Sequence, residues 1–371
     1  MEKSIRLLSI VPFPLFPLQS GGQNRTFGLF NELGKKHDVI VISPVTEAPN
    51  LSLSFSLFGS VLRPSFFRYF DFFSLPALIK YAKVSDVISI EQPFFGLMGL
   101  IISWLTKKPL VVNAHNIEYQ RFKSLGVWWW IILKKYEAFV FRHADAVFFI
   151  SELDRDIGVK AFKLNYEKSF VSPYGVSIPR KRKVDKNIFK KKYHIPEGHS
   201  VFLFFGKMDY LPNQHAVENI QKYVLPALIN IGLTDFTILI CGKGLPENLI
   251  DGSTKKHIKY IGFVEDLEEV ILSSDLLLNP ITSGGGVKTK VLEAIALNKA
   301  VVSTAEGALG INKQVCGEKL LVAKNNDWDA FAELCINAKE APQTETPIAF
   351  FEKYSWEGIA KQYERDLSNL F

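Results

Sequence analysis

Three consecutive glycines and a nearby carboxylate form the part of this chain with the clearest chemical potential. Gly284, Gly285 and Gly286 are followed by Val287 and by a helical pattern that contains Glu293. Consecutive glycines let backbone N–H groups approach a pyrophosphate, and the positive end of a helix dipole adds to the attraction. A carboxylate about two turns further on can accept hydrogen bonds from both hydroxyls of a ribose. The stretch therefore predicts a site for a nucleotide diphosphate sugar.

The same residues have a plainer interpretation. The glycines could form only a flexible turn, and Glu293 could serve only as the ion-pair partner of Lys290, three residues earlier on one helix face. Short motifs also arise by chance. Both interpretations stay open until the rest of the chain is considered.

The elements that must position such a site are short apolar runs that alternate with helical patterns. Continuous apolar strands of this kind indicate parallel sheets that are covered on both faces. Six runs in each half predict an α/β chain with two doubly wound, Rossmann-like domains. The runs are 5–11, 38–43, 86–91, 109–115, 146–151 and 169–174, then 201–206, 236–242, 258–263, 275–280, 300–304 and 320–323.

Further candidates follow these runs, because ligands of doubly wound sheets lie at the carboxyl ends of the strands. Gly21 and Gly22 come after the first run, and His115 ends the fourth. Gly206 and Lys207 come at the end of the first run of the second half, where an ammonium could neutralise a phosphate. Each also has an ordinary interpretation, as a turn, a hydrogen-bonded core histidine or an exposed lysine.

Composition excludes several classes of protein. With 371 residues, 47% of them hydrophobic and 22% charged, the chain is predicted to be ordered and to form two domains. The three scattered cysteines and the histidine spacing favour a reducing compartment and predict no metal site. The N-terminus lacks a signal-peptide cleavage pattern, so a cytoplasmic location is expected.

Two apolar regions bear on membrane contact. The segment 94–105 is too short to cross a bilayer and predicts a buried helix between strands. The run 128–135, with three tryptophans beside two lysines, and the aromatic stretch 66–73 would suit either an interfacial membrane contact or core packing. The net charge of +6 is compatible with an anionic lipid surface or with anionic ligands.

Charge and capping patterns mark two further segments. The basic segment 180–192 is predicted to be a solvated connection that opens into a helix ending near His194, and no nucleic-acid recognition module accompanies it. The segment 350–365 predicts an amphipathic helix with Ser355 at its N-cap, which could return to the first domain.

The order and spacing of these motifs resemble those of the family-4 retaining glycosyltransferases. The likeness extends over nearly the whole chain and includes the glycine loop, the histidine strand end, two interdomain signatures and the donor half. The matching segments are 20–25, 36–43, 112–118, 144–151, 171–176, 205–213 and 262–294.

This resemblance implies a GT-B fold, in which two Rossmann-like domains face a cleft and a C-terminal helix returns to the first domain. The implied acceptor-side domain spans 1–175 and is completed by 350–371, and the donor-binding domain spans 176–349. The implied reaction is metal-independent transfer of a sugar, with retention, from a UDP- or GDP-linked donor to a saccharide or lipid-linked saccharide. The resemblance implies no cofactor. The protein is expected to act in the cytoplasm, at or near the inner face of the membrane.

The resemblance also implies roles for individual residues. His115 and Lys207 would be catalytic, with His115 bonded to the donor sugar, and Arg25 and Asn116 would contact the acceptor. The implied donor contacts are Gly21, Gly22, Gly206, Lys207, Val264, Gly284, Gly285, Gly286, Val287, Lys290 and Glu293.

Two departures from the family pattern keep alternatives open. Gly285 stands where many relatives have the first acid of a Glu-x7-Glu pair, and Asn213 falls near the place of a second lysine. Lys288 or Lys290 must then supply the remaining positive charge, and Lys290 is preferred because it lies one helical turn from Glu293. A nucleotide-sugar 2-epimerase and a non-catalytic nucleotide-sugar-binding subunit are the competing hypotheses.

Overall fold

The computed structural model describes residues 4–18, 20–44, 52–59, 71–180, 182–250, 256–342, 344–368 and 370. These residues form two compact units. The first comprises Met1–Gly175, Gly285–Val287 and Tyr354–Phe371, and the second comprises Val176–Gly284 and Lys288–Lys353. Residues 66–70 of the aromatic stretch lie outside the described part.

The first unit contains a parallel sheet of seven strands in the order β3-β2-β1-β4-β5-β6-β7. Six of these strands were predicted; the short, partly exposed β3 was not, because three residues carry too little hydrophobic pattern. The strands are β1 (Arg6–Ile10), β2 (Asp38–Ile42), β3 (Ser56–Phe58), β4 (Val87–Glu91), β5 (Leu110–Ala114), β6 (Ala146–Phe149) and β7 (Ser169–Val171).

Most of the helices cover this sheet by burying apolar side chains against it, whereas α4 packs on α5. The helix between β4 and β5 was predicted from 94–105, although its last turn is less buried than expected: Trp104 is 78% exposed. The helices are α1 (Gly21–Leu33), α2 (Leu75–Lys83), α3 (Gly96–Thr106), α4 (Glu118–Ser124), α5 (Trp130–His143) and α6 (Glu152–Phe162).

The second unit contains a parallel sheet of six strands in the order β10-β9-β8-β11-β12-β13, all of which were predicted. Its strands are β8 (Ser200–Phe205), β9 (Phe236–Cys241), β10 (Ile258–Tyr260), β11 (Leu276–Asn279), β12 (Ala300–Thr304) and β13 (Leu320–Ala323). Its helices are α7 (Lys186–Lys192), α8 (Leu211–Asn219), α9 (Leu225–Asn230), α10 (Leu267–Ser273), α11 (Thr289–Ala296), α12 (Lys313–Cys316), α13 (Trp328–Glu340) and α14 (Ile348–Tyr354).

The basic connection is held by ion pairs within the second unit. Arg182 pairs with Asp266, Lys186 with Asp275, and Lys192 with Glu269. The predicted helix in this segment is α7. Three of its basic side chains are therefore matched by carboxylates of the same unit.

The last helix, α15 (Trp356–Ser368), completes the first unit, as predicted for a GT-B chain. The Ser355 hydroxyl accepts a hydrogen bond from the N–H of Gly358 at 3.1 Å, which confirms the predicted N-cap. The Trp356 ring lies against Gly28 of α1 and against Gly175, where a Cβ would come within 2.3 Å of the ring at either position. Because Gly28 and Gly175 have no side chains, they leave the space that the Trp356 ring fills.

Strand order reverses once in each sheet, between β1 and β4 and between β8 and β11. In open α/β sheets, ligands bind outside the carboxyl ends of the strands at such a switch point. No helix in the described part of the chain is both long and apolar enough to span a bilayer.

Candidate active site

His115 lies in a buried polar cluster at the carboxyl ends of β4 and β5. Its Nε2 atom is 2.7 Å from Oε2 of Glu91, the last residue of β4. Arg25, on α1, reaches the same oxygen at 3.4 Å and donates to the carbonyl of Ser172 at 3.0 Å. The His115, Glu91 and Arg25 side chains are only 4%, 0% and 1% exposed. Charges this deeply buried require partners, and here each has them.

Burial and mutual charge set the protonation of the cluster. Burial and the nearby Arg25 guanidinium lower the pKa of His115, which keeps its imidazole neutral at neutral pH. Burial alone would raise the pKa of Glu91, but the hydrogen bonds from His115 and Asn113 and the charge of Arg25 outweigh it and lower that pKa. The carboxylate is therefore ionised, and it balances the charge of Arg25.

Sequence reasoning missed several members of this cluster, among them Glu91, Asn113 and Tyr363. The Asn113 amide donates to Oε1 of Glu91 at 2.6 Å and to the Tyr363 hydroxyl at 3.1 Å. Glu91 could have been found, because it ends the predicted strand 86–91 at the edge where ligands bind. Tyr363 lies on α15, 250 residues after Asn113, and no local pattern links the two.

Several predicted site residues of the first unit lie near His115. Gly21 opens α1, and a Cβ on Gly22 would lie 3.3 Å from His115 Nδ1. Asn116 is partly buried and donates to Oε1 of Glu118 at 3.3 Å. Arg25 is enclosed in the cluster, and its observed partners are protein groups; its predicted contact with the acceptor stays a prediction.

In the second unit, the ammonium of Lys290 is buried at the carboxyl end of β8. It donates to Oδ1 of Asn213 at 2.9 Å and lies 4.2 Å from the ring centre of Phe204. Gly206 allows this approach, because a Cβ there would lie 3.0 Å from Nζ. Burial lowers the pKa of Lys290 to about 7, although Glu293 opposes the shift. A bound anion would stabilise this ammonium in its charged form.

Lys207 is placed differently from Lys290. Its side chain is 71% exposed, and its ammonium lies 3.4 Å from Asp209. Only its backbone joins the cluster, through a hydrogen bond of 2.7 Å from the Asn213 amide to the Lys207 carbonyl. The catalytic role of Lys207 stays a prediction, and Lys290 is the lysine that the fold holds in place.

The glycine turn precedes α11 instead of forming its first turn, since the helix begins at Thr289. Gly284 has φ of 93°, and a Cβ there would lie 2.8 Å from Cγ of Pro212, so the position requires glycine. The Lys288 ammonium donates to the Gly284 carbonyl at 2.6 Å. Glu293 is partly buried in the second turn of α11.

The remaining predicted donor contacts lie in loops. Val264 follows β10 in the second unit and is partly buried. Gly285, Gly286 and Val287 group with the first unit, and Gly285 is exposed. Their roles stay predictions. Among the described residues, no group of three or more His, Cys, Asp or Glu side chains could hold a metal ion.

Comparison with known families accounts for both units. A model described as Glycosyltransferase Family 4 matches residues 19–180, and one described as Glycosyl transferases group 1 matches residues 199–340. The chain belongs to the family-4, group 1 glycosyltransferases. A search of the curated proteins found no match.

Solved glycosyltransferase structures share the fold of the whole chain. Anabaena Alr3699/HepE, solved with UDP, has 15% sequence identity and a TM-score of 0.72, and the match covers 98% of this chain and 100% of that one. Sucrose-phosphate synthase from Thermosynechococcus elongatus has 14% identity and a TM-score of 0.74, with 99% of each chain covered. WaaG, described as involved in lipopolysaccharide biosynthesis, has 14% identity and a TM-score of 0.61, with 98% of each chain covered. These likenesses support the GT-B fold.

Proposed function

We propose that this glycosyltransferase transfers a sugar, with retention and without a metal ion, from a nucleotide diphosphate sugar to a saccharide or lipid-linked saccharide of a cell-surface polysaccharide or glycolipid. The observation that carries the proposal is the buried Lys290 ammonium at the carboxyl end of β8. HepE, which has a similar fold, has been solved with UDP and with UDP-glucose. WaaG, which has a similar fold and is described as involved in lipopolysaccharide biosynthesis, supports an acceptor of the lipopolysaccharide type.

The charge on Lys290 suits the reaction. As the bond from the sugar to the diphosphate breaks, negative charge grows on the leaving oxygen, and a fixed cation stabilises the transition state. The acceptor hydroxyl forms the new bond on the same face of the sugar and passes its proton to the leaving phosphate oxygen. Asn213 orients the ammonium, so little reorganisation is needed during transfer.

Removal of the Glu293 carboxylate tests the donor site. We expect Glu293→Ala to weaken donor binding by about 2–3 kcal/mol, the cost of losing a charged hydrogen-bond pair to the ribose. Titration calorimetry with UDP and GDP measures the loss, and Glu333→Ala, an exposed glutamate on α13, is the matched control. Unchanged affinity for both nucleotides would remove the ribose role from Glu293.

Incubation with acceptor and donor tests the reaction itself. A screen of UDP-, GDP-, ADP- and CMP-sugars by thermal shift identifies the donor, because a bound donor raises apparent stability. NMR of the product then reports the anomeric configuration. A retained linkage is expected; an epimerised donor formed without acceptor would instead indicate a 2-epimerase.

The α4–α5 segment supports contact with an anionic membrane. Ile131, Ile132 and Phe139 lie on one face of α5, Trp128 lies in the turn just before this helix, and all four are exposed, Trp128 by 81%. Trp129 and Trp130 instead pack inward, on Phe122 and Tyr119. The sequence alone could not distinguish these neighbouring tryptophans.

Within residues 118–143, the exposed charged side chains have a single sign. The two acidic residues of this segment, Glu118 and Glu137, are fully buried, and Glu137 accepts backbone hydrogen bonds from Glu118 and Tyr119. The exposed charged side chains of residues 118–143 are therefore basic, and include Arg121, Lys123 and Lys135. An exposed tryptophan with aliphatic neighbours and basic side chains matches the interface of an anionic bilayer.

Vesicle binding tests this surface. We expect Trp128→Ser to lower binding to vesicles containing phosphatidylglycerol about tenfold, since it removes one large apolar side chain from the interface. The control is Trp104→Ser on α3, a tryptophan that is also highly exposed, at 78%. Equal losses in both variants, or equal binding to neutral phosphatidylcholine vesicles, would contradict the assigned surface.

A further inference from the structure

The two ring nitrogens of His115 have different surroundings. Nε2 lies 2.7 Å from Oε2 of Glu91 and 3.2 Å from a guanidinium nitrogen of Arg25. Nδ1 has no hydrogen-bond partner among the described residues, although it is buried. It lies on the side of Gly22, where a Cβ would be 3.3 Å away.

The chemistry of these neighbours determines where the proton of the neutral ring lies. A guanidinium only donates hydrogen bonds, and an ionised carboxylate only accepts them. The 2.7 Å contact with Glu91 therefore requires a hydrogen on Nε2. The positive charge of Arg25 opposes a second proton on the ring, so Nδ1 keeps its lone pair.

The other polar groups around Glu91 hold it in place as an acceptor. Asn113 donates to Oε1 at 2.6 Å, and the Thr26 hydroxyl donates to Oε2 at 3.3 Å. Arg25 approaches Oε2 at 3.4 Å. These hydrogen-bonding groups come from α1 and β5, and Tyr363 of α15 holds Asn113 in turn. The Glu91 carboxylate, at the end of β4, is therefore fixed in one orientation toward His115.

We propose that Glu91 is a positioning residue that fixes the His115 proton on Nε2 and leaves Nδ1 as an acceptor for a substrate hydroxyl at the Gly22 turn. The assignment of that hydroxyl to a sugar rests on the proposed function. An imidazole acceptor favours a hydroxyl, which can donate, over a phosphate oxygen or a carbonyl, which cannot. Glu91 would thus determine which substrate group His115 recognises.

The tautomer can be measured without any assumption about activity. Nitrogen-15 NMR of the histidine-labelled protein at neutral pH should show His115, identified by its loss in His115→Asn, with an unprotonated Nδ1 and a protonated Nε2. A protonated Nδ1, in the neutral ring or in an imidazolium, would overturn the proposal. Because no substrate is present, this result is independent of whether the proposed transferase reaction is correct.

Variants of the cluster then test the cause. In Glu91→Leu the acceptor is lost, so the Arg25 guanidinium can donate to Nε2, and the proton should move to Nδ1. Glu91→Gln retains a carbonyl acceptor and should restore the original tautomer, and Thr26→Val removes only a neighbouring hydroxyl and should leave it unchanged. If Glu91→Leu does not fold, the wild-type and Glu91→Gln spectra still decide: a Glu91→Gln spectrum with protonated Nδ1 would contradict control by an acceptor at this position.

Kinetics provide the functional readout. We expect the tautomer change in Glu91→Leu to lower kcat/KM for transfer about tenfold, the cost of one lost hydrogen bond to the substrate, and Glu91→Gln to recover most of it. Transfer at the wild-type rate by a variant whose Nδ1 is protonated would show that the tautomer does not determine recognition.

Discussion

Replacement of Arg25 by methionine should lower the free energy of unfolding of the first unit by about 3–5 kcal/mol, because it leaves the Glu91 carboxylate buried without its cationic partner. Both side chains are almost completely enclosed. Urea denaturation followed by tryptophan fluorescence measures the change. Five of the six tryptophans belong to the first unit, so this signal reports mainly on its unfolding.

An exposed ion pair of the first unit, between β1 and β2, gives the matched control. Arg6 and Asp38 are 45% and 47% exposed, and exposed pairs contribute at most about 1 kcal/mol. Arg6→Met should therefore have a small effect. The double variant Arg25→Met with Glu91→Leu removes both charges and should recover part of the loss. Equal destabilisation by Arg25→Met and Arg6→Met would show that the buried pair does not stabilise the unit.

Replacement of Lys290 by methionine should weaken donor binding about 30- to 150-fold, equivalent to the ~2–3 kcal/mol of a charged hydrogen bond, and should lower kcat further. Methionine keeps the apolar contact with Phe204 and removes the charge. The matched control is Lys207→Met, since the exposed Lys207 ammonium should contribute less. A larger loss in Lys207→Met than in Lys290→Met would reverse the assignment.

The pH dependence gives a second test of Lys290. With a pKa of about 7 in the free protein, its ammonium is charged below that pH and neutral above it. Donor affinity should therefore fall as pH rises, about tenfold between pH 6 and pH 8. An intact nucleotide sugar is the appropriate ligand, because its phosphates do not titrate in this range. Lys290→Met should abolish the dependence, and an equally steep profile in that variant would assign it to another group.

Strand patterns predicted the fold well because buried parallel strands are continuous apolar runs. Both sheets apart from β3 follow from such runs, and the start of α15 follows from its capping residue Ser355, whereas the return of α15 to the first unit was implied by the family resemblance. The predicted preference for Lys290 came from its place one turn before Glu293 on α11. Its burial depends on Asn213, 77 residues away, and that contact has no local signal.

Other aspects of the site required the structure because they depend on packing between distant segments. His115 could be predicted from its place at a strand end, but its partner Arg25 comes from α1, 90 residues earlier. The same holds for exposure: Trp128 and Trp130 are equivalent in sequence, and only the packing of α4 on α5 distinguishes them.

The packing of Trp356 on Gly28 and Gly175 has a consequence for folding during translation. The ribosome makes Gly28 and Gly175 long before it makes the tryptophan that packs on both of them. While the intervening second unit is translated, the surface of the first unit that packs on Trp356 therefore stays exposed to water. Domains usually fold in the order of their synthesis, but the first unit, whose translation starts first, can be completed only after the second unit has been made. A nascent or truncated chain that ends before α15 exposes an apolar surface that chaperones and proteases recognise.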